Sequence, residues 1–194
     1  MKRGLLALLS IMSLFPLFAA TPRLLDPTIS PTVVIEETGD VLTLRGIAYY
    51  KRAFENEYVG AFYSLHKFNT PQEALTDNGP KRMWIRFLMN DVPVKTLWES
   101  ALVNNNSPDL LRREQIYVNQ FLKMLEGPVA PGDVLIFDFI PHIGTKVFFK
   151  GMTKGTIAGE DFYLFILKGW MGRQPPSQKF KQDLFNFSYK ERQT

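Results

Sequence analysis

The sequence predicts an α+β fold, a large antiparallel β-sheet carrying a helical layer on one face as an open-faced sandwich. Two observations carry this expectation. Runs rich in Val, Tyr and Phe, separated by polar or glycine-bearing turns, fill residues 33–89 and return at 134–149. Between and after them lie segments with apolar residues at three-to-four spacing, over 94–125 and from 161 onward. Blocks of strands followed by blocks of helices favour helices layered on one side of a mainly antiparallel sheet.

Val33–Ile35 and Val41–Leu44 flank the polar turn Glu36-Glu37-Thr38-Gly39-Asp40, a hairpin signal. Ile47–Tyr50 and Tyr58–Leu65 are two further strands, joined by Glu55-Asn56-Glu57. Thr70-Pro71-Gln72-Glu73 has a capping Thr, Pro at the first helical position and Glu at the third, so a short helix starts there. Lys81–Met89 alternates, with Met83, Ile85 and Phe87 on one face and Trp84, Arg86 and Leu88 on the other. Val94–Val103 is a helix with Val94, Leu97 and Ala101 inward, broken by Asn104-Asn105-Asn106-Ser107-Pro108. A second helix runs from Pro108 to Leu125 with a stripe of Leu110, Leu111, Ile116, Phe121 and Leu125, ended by Gly127-Pro128. Strands from Val134 and from Lys146 follow, then a helix opened by Asp161 and stopped at Gly172. A short final helix covers Gln178–Phe187.

Residues 1–20 read as a signal peptide: Lys2 and Arg3, an uncharged apolar run from Gly4 to Phe18, then Ala19-Ala20. The run is short for a membrane span, which takes about 20 apolar residues; the competing reading is an uncleaved N-terminal anchor. Residues 21–32 form an extended lead-in, 33–187 one domain and 188–194 a C-terminal tail. The chain has no cysteine, so an exported product needs no disulfide chemistry and relies on its core. Its formal charge is +4, but no basic block exceeds three residues, and Lys and Arg alternate with acids and aromatics. Nucleic-acid binding is therefore not expected, nor is stable membrane insertion once the signal is removed.

The last third is the most specific string: Gly132-Asp133, Pro141 with Gly144-Thr145, Gly151, Asp161-Phe162, and Trp170-Met171-Gly172 with Pro175. With Glu57-Tyr58-Val59-Gly60-Ala61-Phe62-Tyr63, a strand with a Gly–x–x–Tyr pattern, it resembles the chalcone isomerase-like family, in its bacterial exported branch, from about Val41 to Leu184. The resemblance implies a ligand lying between the sheet and its helical layer. Most of the shared residues have structural reasons of their own. Gly132 and Gly151 suit turns with positive φ, Pro141 and Gly144 bracket a turn, and Asp161 can cap a helix. Trp170 and Gly172 seal that helix against the sheet. They argue for the fold and leave the activity open.

For the activity, the resemblance points to one position. Plant chalcone isomerases use a strand arginine, in a Gly–x–Gly–x–Arg context, to hold the developing negative charge of the substrate. The similar stretch here is Gly46-Ile47-Ala48-Tyr49-Tyr50-Lys51-Arg52, with Ala48 at the second glycine and Tyr50 at the arginine. A neutral phenol cannot replace a guanidinium fork. The threonine position falls near Tyr58, and Asp91–Ala101 offers Pro93, Val94, Glu99 and Ser100 where a tyrosine and an asparagine are implied. Fatty-acid-binding relatives clamp a carboxylate with an arginine and a tyrosine from these two strands, so Arg52 with Tyr50 or Tyr58 is the candidate ligand-binding set. The competing reading makes Lys51-Arg52 a solvated strand end.

Other sites find little support. His66 and His142 are the only histidines, without a second ligand at metal spacing. Asp133 and Asp138 fall on opposite faces of one strand and cannot form a catalytic dyad. No nucleophile elbow occurs. No cofactor or metal is expected. The expected function is that of an exported, non-catalytic protein, periplasmic or secreted, holding a small apolar ligand or fatty acid in its sheet–helix cleft. The alternative is an intramolecular lyase or isomerase of the chalcone isomerase type.

Overall fold

The computed structural model describes residues 28–159 and 161–186. The expected signal peptide at 1–20, most of the lead-in, Phe187 and the tail at 188–194 lie outside them. Seven strands form one sheet in chain order, every neighbouring pair antiparallel: β1 (Thr32–Val34), β2 (Val41–Arg52), β3 (Glu55–Ser64), β4 (Lys81–Phe87), β5 (Val134–Ile140), β6 (Gly144–Phe149) and β7 (Met152–Ile157). The helices are α1 (Pro71–Thr76), α2 (Val94–Asn105), α3 (Pro108–Arg113), α4 (Gln115–Met124), α5 (Asp161–Met171) and α6 (Gln178–Asp183). This is the expected α+β architecture. The main core lies between the helices and one sheet face, where Phe62, Met83, Phe137 and Phe149 meet Trp98, Phe121, Phe162 and Trp170. A smaller cluster of Ile29, Ile35, Leu42, Leu44, Val59, Ala61, Tyr63 and Ile140 covers the opposite face near the first strands.

Two irregularities in the β2–β3 pairing decide what faces the helices. Leu44 pairs with Tyr63 but Gly46 pairs with Phe62, so Arg45 is an extra residue. A strand alternates its faces every residue, and one extra residue reverses the parity beyond it. Leu42 and Leu44 therefore share the far face with Ile47 and Tyr49, while Ala48 and Tyr50 turn to the helical side. Arg45 is held in the bulge by its Nε donating to Ser64 Oγ (2.8 Å) and its Nη2 donating to Ser64 O (2.9 Å). Gly46, next to it, is required by close approach, because a Cβ there would overlap the Leu184 carbonyl at the end of α6. The second irregularity leaves Glu57 unpaired between the Tyr50–Tyr58 and Lys51–Asn56 pairs.

Much of the local reading holds. Thr70 Oγ1 accepts from Glu73 N (3.2 Å) and Glu73 Oε2 accepts from Asn69 N (2.9 Å), the reciprocal cap expected for α1. The faces of β4 are as read, with Met83, Ile85 and Phe87 buried in the main core. Gly132 (φ 97°) and Gly151 (φ 74°) occupy the left-handed region their turns demand.

Five local expectations are corrected. The segments Val41–Leu44 and Ile47–Tyr50 are one strand, and the following turn lies at Ala53-Phe54, with Ala53 at φ 56°, while Glu55-Asn56-Glu57 belongs to β3. In α2 the inward stripe is Val94, Trp98 and Leu102, and Leu97 is exposed. The helix expected over 108–125 is two: Ser107 caps α3, and Glu114 (φ −96°, ψ 14°) interrupts the chain before α4. That break rephases the stripe, burying Phe121 and Leu125 while Ile116 is 80 % exposed. Asp161 stands inside the first turn of α5 instead of ahead of it. Finally, β7 was not expected, since Met-Thr-Lys-Gly-Thr-Ile lacks apolar alternation. It is an edge strand carrying a bulge and Lys154, features that discourage pairing with another chain.

Candidate functional site

The site forms where the helical layer stands away from the sheet. Its floor is Tyr50 of β2, Tyr58 of β3, Ile85 and Phe87 of β4 and Leu135 of β5. Its roof is Val94, Leu97, Trp98, Ser100, Ala101 and Asn104 of α2, Gly169 and Trp170 of α5, and the loop Gln174-Pro175-Pro176. The cleft, open on one side, has a volume of about 250 Å³, just below the roughly 300–1,000 Å³ usual for small-molecule pockets.

Aromatic packing sets the walls. Trp98 and Trp170 meet edge to face at 4.7 Å, and Trp98 also packs on Phe137 at 5.4 Å. Tyr50 stacks on Tyr58 with centroids 5.1 Å apart, and Tyr58 meets Phe180 of α6 edge-on at 5.6 Å. The Trp170 indole borders the cleft beside Tyr58 and acts to lower the pKa of its phenol, against the larger effect of burial. Burial pushes the Tyr58 phenol far above its ordinary range, so it stays protonated throughout the physiological range and cannot serve as a base.

The polar groups of the lining are neutral: the two phenols, the two indoles, Ser100, Asn104 and Gln174. Among the described residues no Asp, Glu, Lys, Arg or His borders the space. The loop forming one wall is pinned by Asn105, whose Oδ1 accepts from Gln174 N (2.8 Å) and whose Nδ2 donates to Gln174 O (3.0 Å).

Of the three candidate ligand-binding residues, the structure brings Tyr50 and Tyr58 together in the cleft and leaves Arg52 outside its lining. Arg52 Nε instead pairs with Glu57 Oε2 at 2.7 Å. Glu57 is buried and its second oxygen has no partner among the described residues. Desolvation raises the Glu57 carboxyl, and Arg52 offsets part of that. Ser100 lies on the segment where the resemblance implied polar cleft residues, whereas Asn104 of α2 and Gln174 of the 174–176 loop escaped the sequence reading. Val94, Trp98 and Leu102, spaced four apart, gave a signal for the true inward face of α2 that Leu97 and Ala101 obscured.

The buried charges of the protein sit elsewhere. Asp138, fully buried, accepts from Arg82 Nε (2.5 Å) and Nη2 (2.6 Å) on the sheet face away from the helices. Lys81, also buried, donates to the carbonyls of Asp77 (2.5 Å) and Gly79 (2.8 Å) and pairs with Asp77 Oδ2 (2.8 Å). His66 Nδ1 lies 2.7 Å from Asp77 Oδ1, and His142 is exposed in the β5–β6 turn at φ 65°. Among the described residues no group of His, Cys, Asp and Glu is placed to hold a metal ion, and no helix is long and apolar enough to cross a membrane.

No curated protein sequence matches the chain. Among solved structures, it is similar to a fatty-acid binding protein of Arabidopsis thaliana with a TM-score of 0.55 at 12% identity, over 79% of this chain and 95% of that one. At that identity the likeness speaks to the fold. The family model described as chalcone isomerase-like matches residues 28–186, and with the sheet, helical layer and intervening cleft in place, the chain belongs to the chalcone isomerase-like family.

Proposed function

We propose that this is a non-catalytic ligand-binding member of the family, of its bacterial exported branch, holding a small apolar or acyl molecule between the sheet and α2–α5. The observation that carries this reading is the lining of the cleft: aromatic and aliphatic walls, a few neutral polar groups and no ionisable acid or base other than phenols. Such walls suit a hydrophobic ligand oriented by a small number of hydrogen bonds. The same lining supplies no cation to stabilise an enolate or phenolate, and loss of one preorganised charge stabiliser typically costs a hundredfold or more in rate. The Arabidopsis relative with this fold is a fatty-acid binding protein, which favours an acyl ligand. Export to the periplasm or beyond rests on the charged, apolar and small-residue pattern of residues 1–20.

Native mass spectrometry of the purified mature protein tests the reading. A retained lipid mass, or a rise in melting temperature with saturated fatty acids, is expected. A clean apo mass with no thermal shift contradicts it. The isomerase alternative is tested by following the absorbance of a chalcone. Turnover above spontaneous cyclisation would overturn the non-catalytic assignment.

A further inference from the structure

We propose that an acyl ligand enters tail first and leaves its carboxylate at the rim of the cleft, where Lys51 pairs with it. This rests on the ligand-binding reading above and adds an orientation and a residue. A carboxylate carried inside would meet no cation, and desolvation without a partner drives such a group toward its neutral form. Arg52 is already committed to Glu57, and drawing it away would leave a buried carboxylate unpaired.

A second hollow adjoins the cleft. It shares Tyr50 and Pro176 with it and is bordered by Lys51, Lys179 and Asp183. Lys179 Nζ contacts both carboxylate oxygens of Asp183 at 2.8 Å, which neutralises that pair. Lys51 is exposed and forms no ion pair among the described residues. It is therefore the available cation where the apolar walls end, and its flexible four-carbon stem lets the ammonium follow a mobile head group.

Calorimetric titration with dodecanoic acid and with dodecanol tests this, using the full mature chain and Lys51→Gln. The acid should bind about two- to fivefold more weakly to Lys51→Gln, the scale of an exposed ion pair, and the alcohol should be unaffected. In the unsubstituted protein, NMR of dodecanoic acid isotopically labelled at its carboxyl carbon should show a head group titrating near the ordinary carboxylate range. Binding of both ligands with no difference for Lys51→Gln overturns the assignment. So does a bound carboxyl whose titration is displaced far from that range, which would place the head inside. Failure of both ligands to bind overturns the ligand-binding reading itself, a result distinct from the other two.

Discussion

Substituting Tyr50→Arg returns a guanidinium to the position where the family resemblance implies one, in a cleft lined by no other charge among the described residues. In the ligand-free protein the change is unfavourable. The stacking of Tyr50 on Tyr58 at 5.1 Å is lost, about 0.5–1.5 kcal/mol, and the new cation faces Phe87 and Trp170 with no carboxylate on the lining. Tyr50 is only partly buried, so the guanidinium can lean toward the hollow at Pro176 and limit that cost. With a fatty acid bound, the balance reverses. A charge-assisted hydrogen bond contributes about 1.5–3 kcal/mol, which at about 1.4 kcal/mol per decade is roughly a 10- to 100-fold gain in affinity. Titration with dodecanoic acid and dodecanol, alongside thermal denaturation, reads both halves. The variant should melt lower when empty, bind the acid more tightly and bind the alcohol no better. Unchanged affinity for the acid would refute the claim that an acyl head group lies within reach of Tyr50.

Three further outcomes follow from the buried charges and the loop. Arg82→Met should cost about 3–5 kcal/mol by stranding buried Asp138, whereas Arg82→Met combined with Asp138→Leu should return most of it in urea denaturation. Burial already raises the Asp138 carboxyl, against the pull of Arg82. A raised carboxyl binds its proton more tightly when folded, so the Arg82→Met variant should gain stability as pH falls toward the unfolded value of about 3.9. Asp77 behaves oppositely: burial would raise it, but its hydrogen bonds to Lys81 and His66 hold it low. Its stabilisation is present above about pH 3.9 and lost as pH falls through the folded value. Asp77→Asn should cost about 3 kcal/mol at neutral pH by stranding Lys81 and should flatten acid unfolding there. Asn105→Ala frees the wall at Gln174 and should lower stability by about 1–2 kcal/mol while speeding ligand exchange in stopped-flow tryptophan fluorescence.

The fold was legible where side-chain pattern and capping chemistry agree. Alternation in 81–87 named a strand and its inward face, and the Thr70–Glu73 cap named the start of a short helix. It was less legible where geometry turns on single residues. Nothing in the composition of Leu44-Arg45-Gly46 marks Arg45 as the bulge, yet that one residue decides that Tyr50 faces the helices. The break at Glu114 was hidden because a continuous helical stripe can be drawn through it. Strand β7 was hidden because an edge strand needs little apolar alternation. At the site, the sequence named Tyr50 and Tyr58, each as an alternative partner of Arg52, and not their stacking on one another. The commitment of Arg52 to Glu57 was not readable either, since it depends on a second bulge and a buried acid.

The most direct measurement is a crystal structure of the protein saturated with dodecanoic acid. Continuous density should run between Trp98 and Tyr58, with the carboxylate at the Tyr50–Pro176 rim and no charged side chain against the enclosed carbons. An empty cleft with the fatty acid bound elsewhere, or a carboxylate seated deep beside a guanidinium, would contradict the account.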